Sequence, residues 1–410
     1  MTLGIIFSMI CLANPVNLSA QSKSDSKPIE IDITKALKTK KSFKMSQLVK
    51  DVEFVFMEST PECYMITMSE FSFGKNYIMA AFSGLQSNTT HGVHIFDRKG
   101  KYLRTLGKEG RGPGEYIPPF KAVMDPSEEF VLIVDANQKK LLTYSIDGEF
   151  IQEQKFSKNN SGGLPHPAID YQGQVYLYFE RPHRPIDHFP SIVKYDQALQ
   201  PVQDILVREK NQDQTLALIR NKFSATPDHM VFWESYWDTV YYINSAGQAQ
   251  AKYHFNITKN QWPKKYLADY SITRLHFEEF TTVTGIHDLP DHLLIVVRDN
   301  GFNYLVHDKT NGETYTMTNP NKCFSSDEIK PGGSIEDDLL GFERLGPGTY
   351  IPDQKLFVVR TNPSYMLGGN DIECLKKKKV LFPEKRDFLI DYAQKATGEE
   401  GPLLIIMHAK

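Results

Sequence analysis

Three stretches of this 410-residue chain gather side chains with chemical potential. The first, Gly110–Tyr116 (GRGPGEY), spaces three glycines around Arg111 and Pro113. Such a loop enters positive φ and can aim successive backbone N–H groups at one point, making an anion nest with Arg111 as counter-charge and Glu115 and Tyr116 on its wall. The competing reading is a tight crossover, in which glycines let strands approach and Arg111 pairs with Glu115. The crossover is preferred, because neither a phosphate-binding lysine nor a strand-to-helix context accompanies the glycines. The second, Arg181–Phe189 (RPHRPIDHF), sets Arg181, His183, Arg184 and His188 beside Asp187, a combination suited to an anion, a sugar or a peptide. A metal on His183, Asp187 and His188 is disfavoured, since this histidine spacing suits a helix or finger better than a proline-broken loop. The plain alternative is exposed loop decoration. The third, Phe232–Tyr242 (FWESYWDTVYY), offers Trp233, Tyr236 and Trp237 either as a stacking platform or as sheet packing, and packing is the commoner use of such aromatics. No GxSxG elbow, HExxH or DxDxDG loop occurs.

The elements carrying these stretches are hairpins. Val93–Phe96 and Tyr102–Leu106 flank a turn at Asp97–Gly100, and the same strand, turn and strand recur in residues 141–156, 191–206, 239–255 and 303–317. The turn residues Gly100, Gly148, Leu199, Gly247 and Gly312 step by 48, 51, 48 and 65 residues. A period near ~50 residues with β content predicts propeller blades of four strands. Runs such as Phe130–Val134, Gln174–Phe179, His229–Trp233 and His292–Val297 are continuously apolar, as sheets covered on both faces require. Tyr77–Phe82 is read as opening the first blade, and Lys355–Arg360 with Pro402–His408 as building the last. Asp51–Glu58 precedes the first repeat and is expected to complete that last blade, joining the chain ends and removing an edge. Dividing the chain by the period allows seven blades. Six is preferred, with the surplus spent on helical insertions at Lys259–Phe280 and Pro383–Gln394. Lys376–Lys379 reads as a solvated loop.

The charge balance, 47 basic against 50 acidic residues, argues against a nucleic-acid partner. Leu3–Leu12 is an apolar run too short to span a bilayer, and Leu18-Ser19-Ala20 offers a cleavage site, so residues 1–20 read as a signal peptide despite an n-region without Lys or Arg. A lipid anchor on Cys11 is disfavoured because Ile10 stands where a small residue belongs. Residues 21–45 read as a flexible lead-in and 46–410 as the propeller, with no transmembrane segment. Cys63, Cys323 and Cys374 remain after export. Cys323 with Cys374 is a conceivable pair, but buried free thiols are the preferred reading.

With these residues in view, Gly107–Phe150 resembles the NHL-type propeller repeat, with its glycine-rich lead, VDANQ turn and YSIDGEF hairpin. The chain from about residue 45 to 410 resembles a six-bladed β-propeller family of unknown function abundant in Gram-negative gut anaerobes. DVEFVFME, the FDRKGKYLRTLGKEGRGPGEY block and PLLIIMH carry the likeness. Gln197-Ala198-Leu199, lacking the turn glycine, and Glu400-Gly401-Pro402 depart from the pattern. The resemblance implies an all-β, six-bladed propeller of four-stranded antiparallel blades in the cell envelope, and no reaction.

The expectation is therefore an exported, monomeric binding or interaction module in the periplasm or at the cell surface, its partner a glycan, a peptide or an envelope protein. Its candidate ligand residues are Arg111, Glu115, Tyr116, Arg181, His183, Arg184, His188, Trp233 and Trp237. No catalytic or metal-binding residues and no cofactor are expected. The alternative is a propeller enzyme of lyase or lactonase type, with axial calcium or zinc held by His and Asp from several blades.

Overall fold

The computed structural model describes residues 27–410 apart from 65–69, 84–89, 157–164, 180–187, 210–220, 235–236, 264–275, 277, 320–322, 324–333, 343–347 and 368–370. Six antiparallel sheets follow one another as the blades of a propeller. Blade 1 runs from the axis outward as Glu70–Phe73, Tyr77–Phe82, Gly92–Asp97 and Tyr102–Leu106. Blades 2 to 5 repeat this order from innermost strands Phe120–Met124, His166–Ile169, Asn221–Ala225 and Thr282–Asp288. Blade 6 is assembled from Thr349–Ile351, Leu356–Thr361 and Leu403–Ala409, with Val49–Phe56 as its outer strand. That outer strand pairs antiparallel with the last one, Leu403 opposite Phe56 and His408 opposite Asp51, so the chain's two ends close the ring as expected. The seam between blades 6 and 1 is sealed by one apolar cluster that includes Val55, Ile78, Phe96, Val358 and Ile406.

Each blade begins one strand earlier than the sequence reading placed it. The continuously apolar runs, Tyr77–Phe82 and its counterparts, are second from the axis, where neighbouring blades cover both faces: Leu132, Ile133, Val134, Leu293 and Ile295 are fully buried. Each such side chain contributes roughly 1.5–3 kcal/mol of burial. The innermost strands of blades 1 to 3 are short and mix polar with apolar residues because one flank faces the axis, and so they lack the pattern that marks the others.

Residues 29–45 are not a flexible lead-in. Ile29–Asp32 pairs in parallel with the outer strand of blade 4, Ile29 opposite Tyr253, and Lys40–Ser42 pairs in parallel with the outer strand of blade 5, Lys40 opposite Thr316. Between them Ile33–Ala36 forms one helical turn capped by Asp32, whose carboxylate accepts from Lys35 N at 2.8 Å. Ile31, Ile33 and Ala36 are buried against blades 4 and 5, which holds this belt down. Ahead of the closing strand, Met45–Gln47 forms a 3-10 turn with Lys44 at its N-cap. The expected insertion helix is present as Pro383–Lys395, with Leu389 and Ile390 buried. Most of Lys259–Phe280 lies outside the described residues, as does the expected signal peptide. The lysine run is partly helical, closing the helix Ile372–Lys377, and Lys378 Nζ donates to Gly341 O at 3.0 Å.

Cys323 and Cys374 are joined in a disulfide, which overturns the free-thiol reading for both; Cys63 is free and buried. The bond links the connection leading into blade 6 with the helix Ile372–Lys377, and Asp371 N donates to Cys323 O beside it at 2.8 Å. In the third hairpin, Leu199 itself takes the left-handed conformation, φ +56°, that glycine supplies at Gly100, Gly148, Gly247 and Gly312. A non-glycine residue there costs about 1–3 kcal/mol, and here its side chain is buried in return.

Candidate functional site

Antiparallel pairing decides which connections share a face. Turns joining first to second and third to fourth strands lie at one end of the ring, the turn face. Links from second to third strands and from blade to blade lie at the other, the loop face. The turn-face links nearest the axis are short, such as Gly74–Asn76, Asp125–Glu129 and Asp170–Gln174, whereas the long insertions belong to the loop face. Innermost strands start at the loop face, so Glu70, Lys121 and His166 stand at its axial mouth.

These three residues meet. Lys121 Nζ donates to Glu70 Oε1 at 3.3 Å and to His166 Nδ1 at 2.9 Å. The Lys121 and Glu70 side chains are part-buried, 17% and 28% exposed, so they reach solvent without being surface pairs. Arg360, near the loop-face end of the second strand of blade 6, lies with its guanidinium carbon 5.7 Å from the Phe71 ring. Crowding by protein disfavours the charged form and lowers its pKa, while the Glu70 carboxylate pulls the other way. Arg360, Glu70, Lys121 and His166 thus come from the consecutive blades 6, 1, 2 and 3 and form an arc around half the axis. Two permanent or near-permanent cations against one carboxylate leave the arc cationic. None of the four was among the residues singled out from the sequence.

The opposite mouth is tied shut. Tyr171 of blade 3 donates its hydroxyl to Asp353 Oδ1 of blade 6 at 2.9 Å, a bond between blades three places apart in a ring of six. Burial first, and then the Asp353 charge, raise the Tyr171 phenol, keeping it a donor. Lys75 stands 3.9 Å from Asp353, and Gln354 Nε2 donates to Phe73 O at 3.3 Å.

The glycine loop is a crossover, as preferred, but with other partners. Glu115 pairs with Lys108 at 2.9 Å rather than with Arg111, and its carboxylate accepts from Gly112 N at 2.6 Å. These bonds, led by the one from Gly112, hold the Glu115 carboxyl below its ordinary range. The nest is thereby filled by the loop's own side chain, and Gly114 N is taken by Glu153 at 2.9 Å. Arg111 is exposed. Tyr116 is buried, donating to Leu106 O at 2.6 Å and accepting from Val93 N at 3.2 Å. Glycine is required at 107, where φ is +62° and a Cβ would stand 2.6 Å from the Tyr144 hydroxyl.

Trp233 is buried in the core between blades 4 and 5, its indole N–H donating to Trp237 O at 3.1 Å. Trp237 is half-buried, with its ring 6.1 Å from that of Tyr241. Arg181, His183 and Arg184 lie outside the described residues. His188 begins a strand, opposite Glu209. Of the sequence-selected residues that are described, Arg111, Glu115 and Tyr116 sit on the crossover from blade 1 to blade 2, His188 on blade 3, and Trp233 and Trp237 in blade 4. Signals for the actual arc were present only as polar residues at the starts of short strands, Glu70, Lys121 and His166, each a few residues ahead of an apolar run.

Among known proteins, the profile of a family described as a domain of unknown function, DUF4934, matches residues 28–407. The chain belongs to this family. It is a six-bladed β-propeller family of unknown function. No curated protein matches the chain. Among solved structures, a Bacteroides fragilis protein named as exported is similar at 14% identity and a TM-score of 0.58, with 94% of this chain and 100% of that one covered. A DUF4221 family member from Bacteroides vulgatus is similar at 12% identity and a TM-score of 0.48, covering 88% and 97%. A streptogramin B lyase follows at 14% identity and 0.36, covering 67% and 75%. At these identities the first of them speaks to the fold alone. No helix among the described residues is long and apolar enough to cross a membrane.

Proposed function

We propose that this propeller is an exported binding module that takes its ligand, a glycan, a peptide or an envelope protein, at the axial mouth of its loop face. The observation that carries the reading is the arc of Arg360, Glu70, Lys121 and His166, which come from four blades at the end of the axis where, among the described residues, no bond crosses the ring as Tyr171 to Asp353 does at the other. Lys121, Glu70 and His166 hold one another in place, so a ligand that bonds to them meets groups already positioned. Export is supported by the amino-terminal apolar run and by the named character of the Bacteroides fragilis relative in fold. The disulfide fits an oxidising compartment. The module acts as a monomer without a cofactor.

The test is to screen the purified chain against glycan and peptide arrays and then to map the ligand by amide hydrogen exchange. Protection is expected at the starts of the innermost strands, around Glu70, Lys121 and His166. Protection confined to the turn face or to the outer strands would sink the proposal.

A further inference from the structure

We infer that the ligand of this mouth is an acidic sugar, its carboxylate held by Arg360 and Lys121 and its ring hydroxyls by Glu70 and His166. The inference rests on the mouth being the binding site and adds the chemistry of what enters it.

The argument begins with Arg360. A guanidinium presents five donors in a planar fork that matches a carboxylate. Among the described residues no hydrogen bond to this guanidinium is found; it has the Phe71 ring at 5.7 Å and the charge of Glu70 nearby. Protein packed around it already disfavours its charge, and a bound anion would favour it. Lys121 is the second cation, and its bond to Glu70, at 3.3 Å, is long for a charge-assisted one. With one proton held by His166 Nδ1 at 2.9 Å, the ammonium can turn another from Glu70 to an incoming anion at small loss.

Glu70 then decides between anions. Inorganic phosphate or sulfate would suit the two cations but would meet a carboxylate between them and be repelled. A ligand carrying one carboxylate and several hydroxyl groups turns the same carboxylate to advantage, because Glu70 accepts from hydroxyl donors. His166 adds an imidazole edge two blades along, where Lys121 already anchors its Nδ1. Phe71, part-buried beside Arg360, gives an apolar surface for the C–H face of a sugar ring. A uronate residue has all of these features in one ring.

The experiment is isothermal titration of the purified chain at low salt with oligogalacturonate, a neutral oligosaccharide of equal length, an acidic peptide and inorganic phosphate. Oligogalacturonate should bind, the neutral sugar and phosphate should bind far more weakly, and R360Q and K121Q should each weaken the uronate roughly 10- to 100-fold, as loss of a charged hydrogen bond does. E70Q should weaken uronate while strengthening phosphate, a split in sign that a merely structural role for Glu70 would not produce. Circular dichroism and urea unfolding of each variant confirm that it folds. Phosphate binding as tight as uronate, or no heat with uronate at millimolar concentration, overturns the acidic-sugar assignment. If the neutral sugar or the peptide binds instead and R360Q or K121Q abolishes that binding, the assignment falls while the mouth stands as the binding site. Uronate binding that all three variants leave unchanged overturns both.

Discussion

The two ends of the axis are built from the same residue types and use them in opposite ways. At the turn face, acidic side chains are consumed by the backbone: Glu128 accepts from Asn76 N, Asn76 Nδ2 and Tyr77 N, and Asp170 accepts from Gln172 N, Gln174 N and the Tyr176 hydroxyl. Each bond fixes a turn or staples one blade to the next, and Tyr171 with Asp353 ties opposite blades together. At the loop face, Glu70 and Lys121 hold each other at 3.3 Å and Arg360 finds an aromatic face in place of an acceptor. Where polar groups are used up by the fold, they hold the ring; where they are left over, they are available to a ligand.

This contrast predicts that turn-face substitutions cost stability and loop-face ones cost binding. The largest stability loss is expected from Glu128→Ala. It removes the buried carboxylate that Asn76 N, Asn76 Nδ2 and Tyr77 N share and should lower the unfolding free energy by about 3 kcal/mol in urea, with ligand affinity unchanged once folded. A change below about 1 kcal/mol would show that the turn face is not held as described.

The next effect is one of pH, below the loop-face rim of blade 1. His94 is fully buried, its Nδ1 2.8 Å from Thr105 Oγ1, and burial lowers its pKa to about 4 from 6.5. Between those values the unfolded chain binds the extra proton and the folded one does not. Stability should therefore fall as pH falls from 6.5 towards 4, by of order 2–3 kcal/mol. Urea titrations at pH 7.5 and 4.5 should show this loss in the native chain and a clearly smaller one in His94→Gln. Equal losses in both would remove His94 as the cause.

Tyr171→Phe should cost about 1 kcal/mol, the net worth of one hydrogen bond, and should not alter what the loop face binds. If it changed ligand affinity tenfold, the two ends would be coupled and the contrast between them would fail. Smallest of all, Arg360→Gln should shift the unfolding midpoint within the error of the measurement, roughly ±0.5 kcal/mol, because the side chain is exposed and makes no hydrogen bond among the described residues. A loss above 1 kcal/mol would reassign Arg360 to the structural set.

The ring was legible because its hairpins announce themselves: a turn residue recurs at near-constant spacing and doubly covered strands are apolar throughout. The arc was not, since three of its residues sit on strands of four or five residues that alternate too briefly to be distinguished from loops. The belt left a trace in Ile29, Ile31 and Ile33, an alternation outweighed by the polar residues around it. The Cys323–Cys374 bond joins residues 51 apart in sequence, and nothing local brings them together. Of the glycines in GRGPGEY, Gly114 takes positive φ and lets Tyr144 approach, while the N–H groups of Gly110, Gly112 and Gly114 are spent on Tyr116 O, Glu115 and Glu153.

The direction of the strands at the chain's far end has a practical side. The outer strand of blade 4 runs from the turn face to the loop face, with Ile29–Asp32 in parallel along its loop-face half. The last strand runs the other way, and Ala409 N donates to Lys355 O in a turn-face link at 2.8 Å. Whatever is joined after Lys410 thus departs from the side opposite the mouth. Coupled to a bead or sensor chip through that end, the ring stands with its charged arc turned to the solution, ready to sample it.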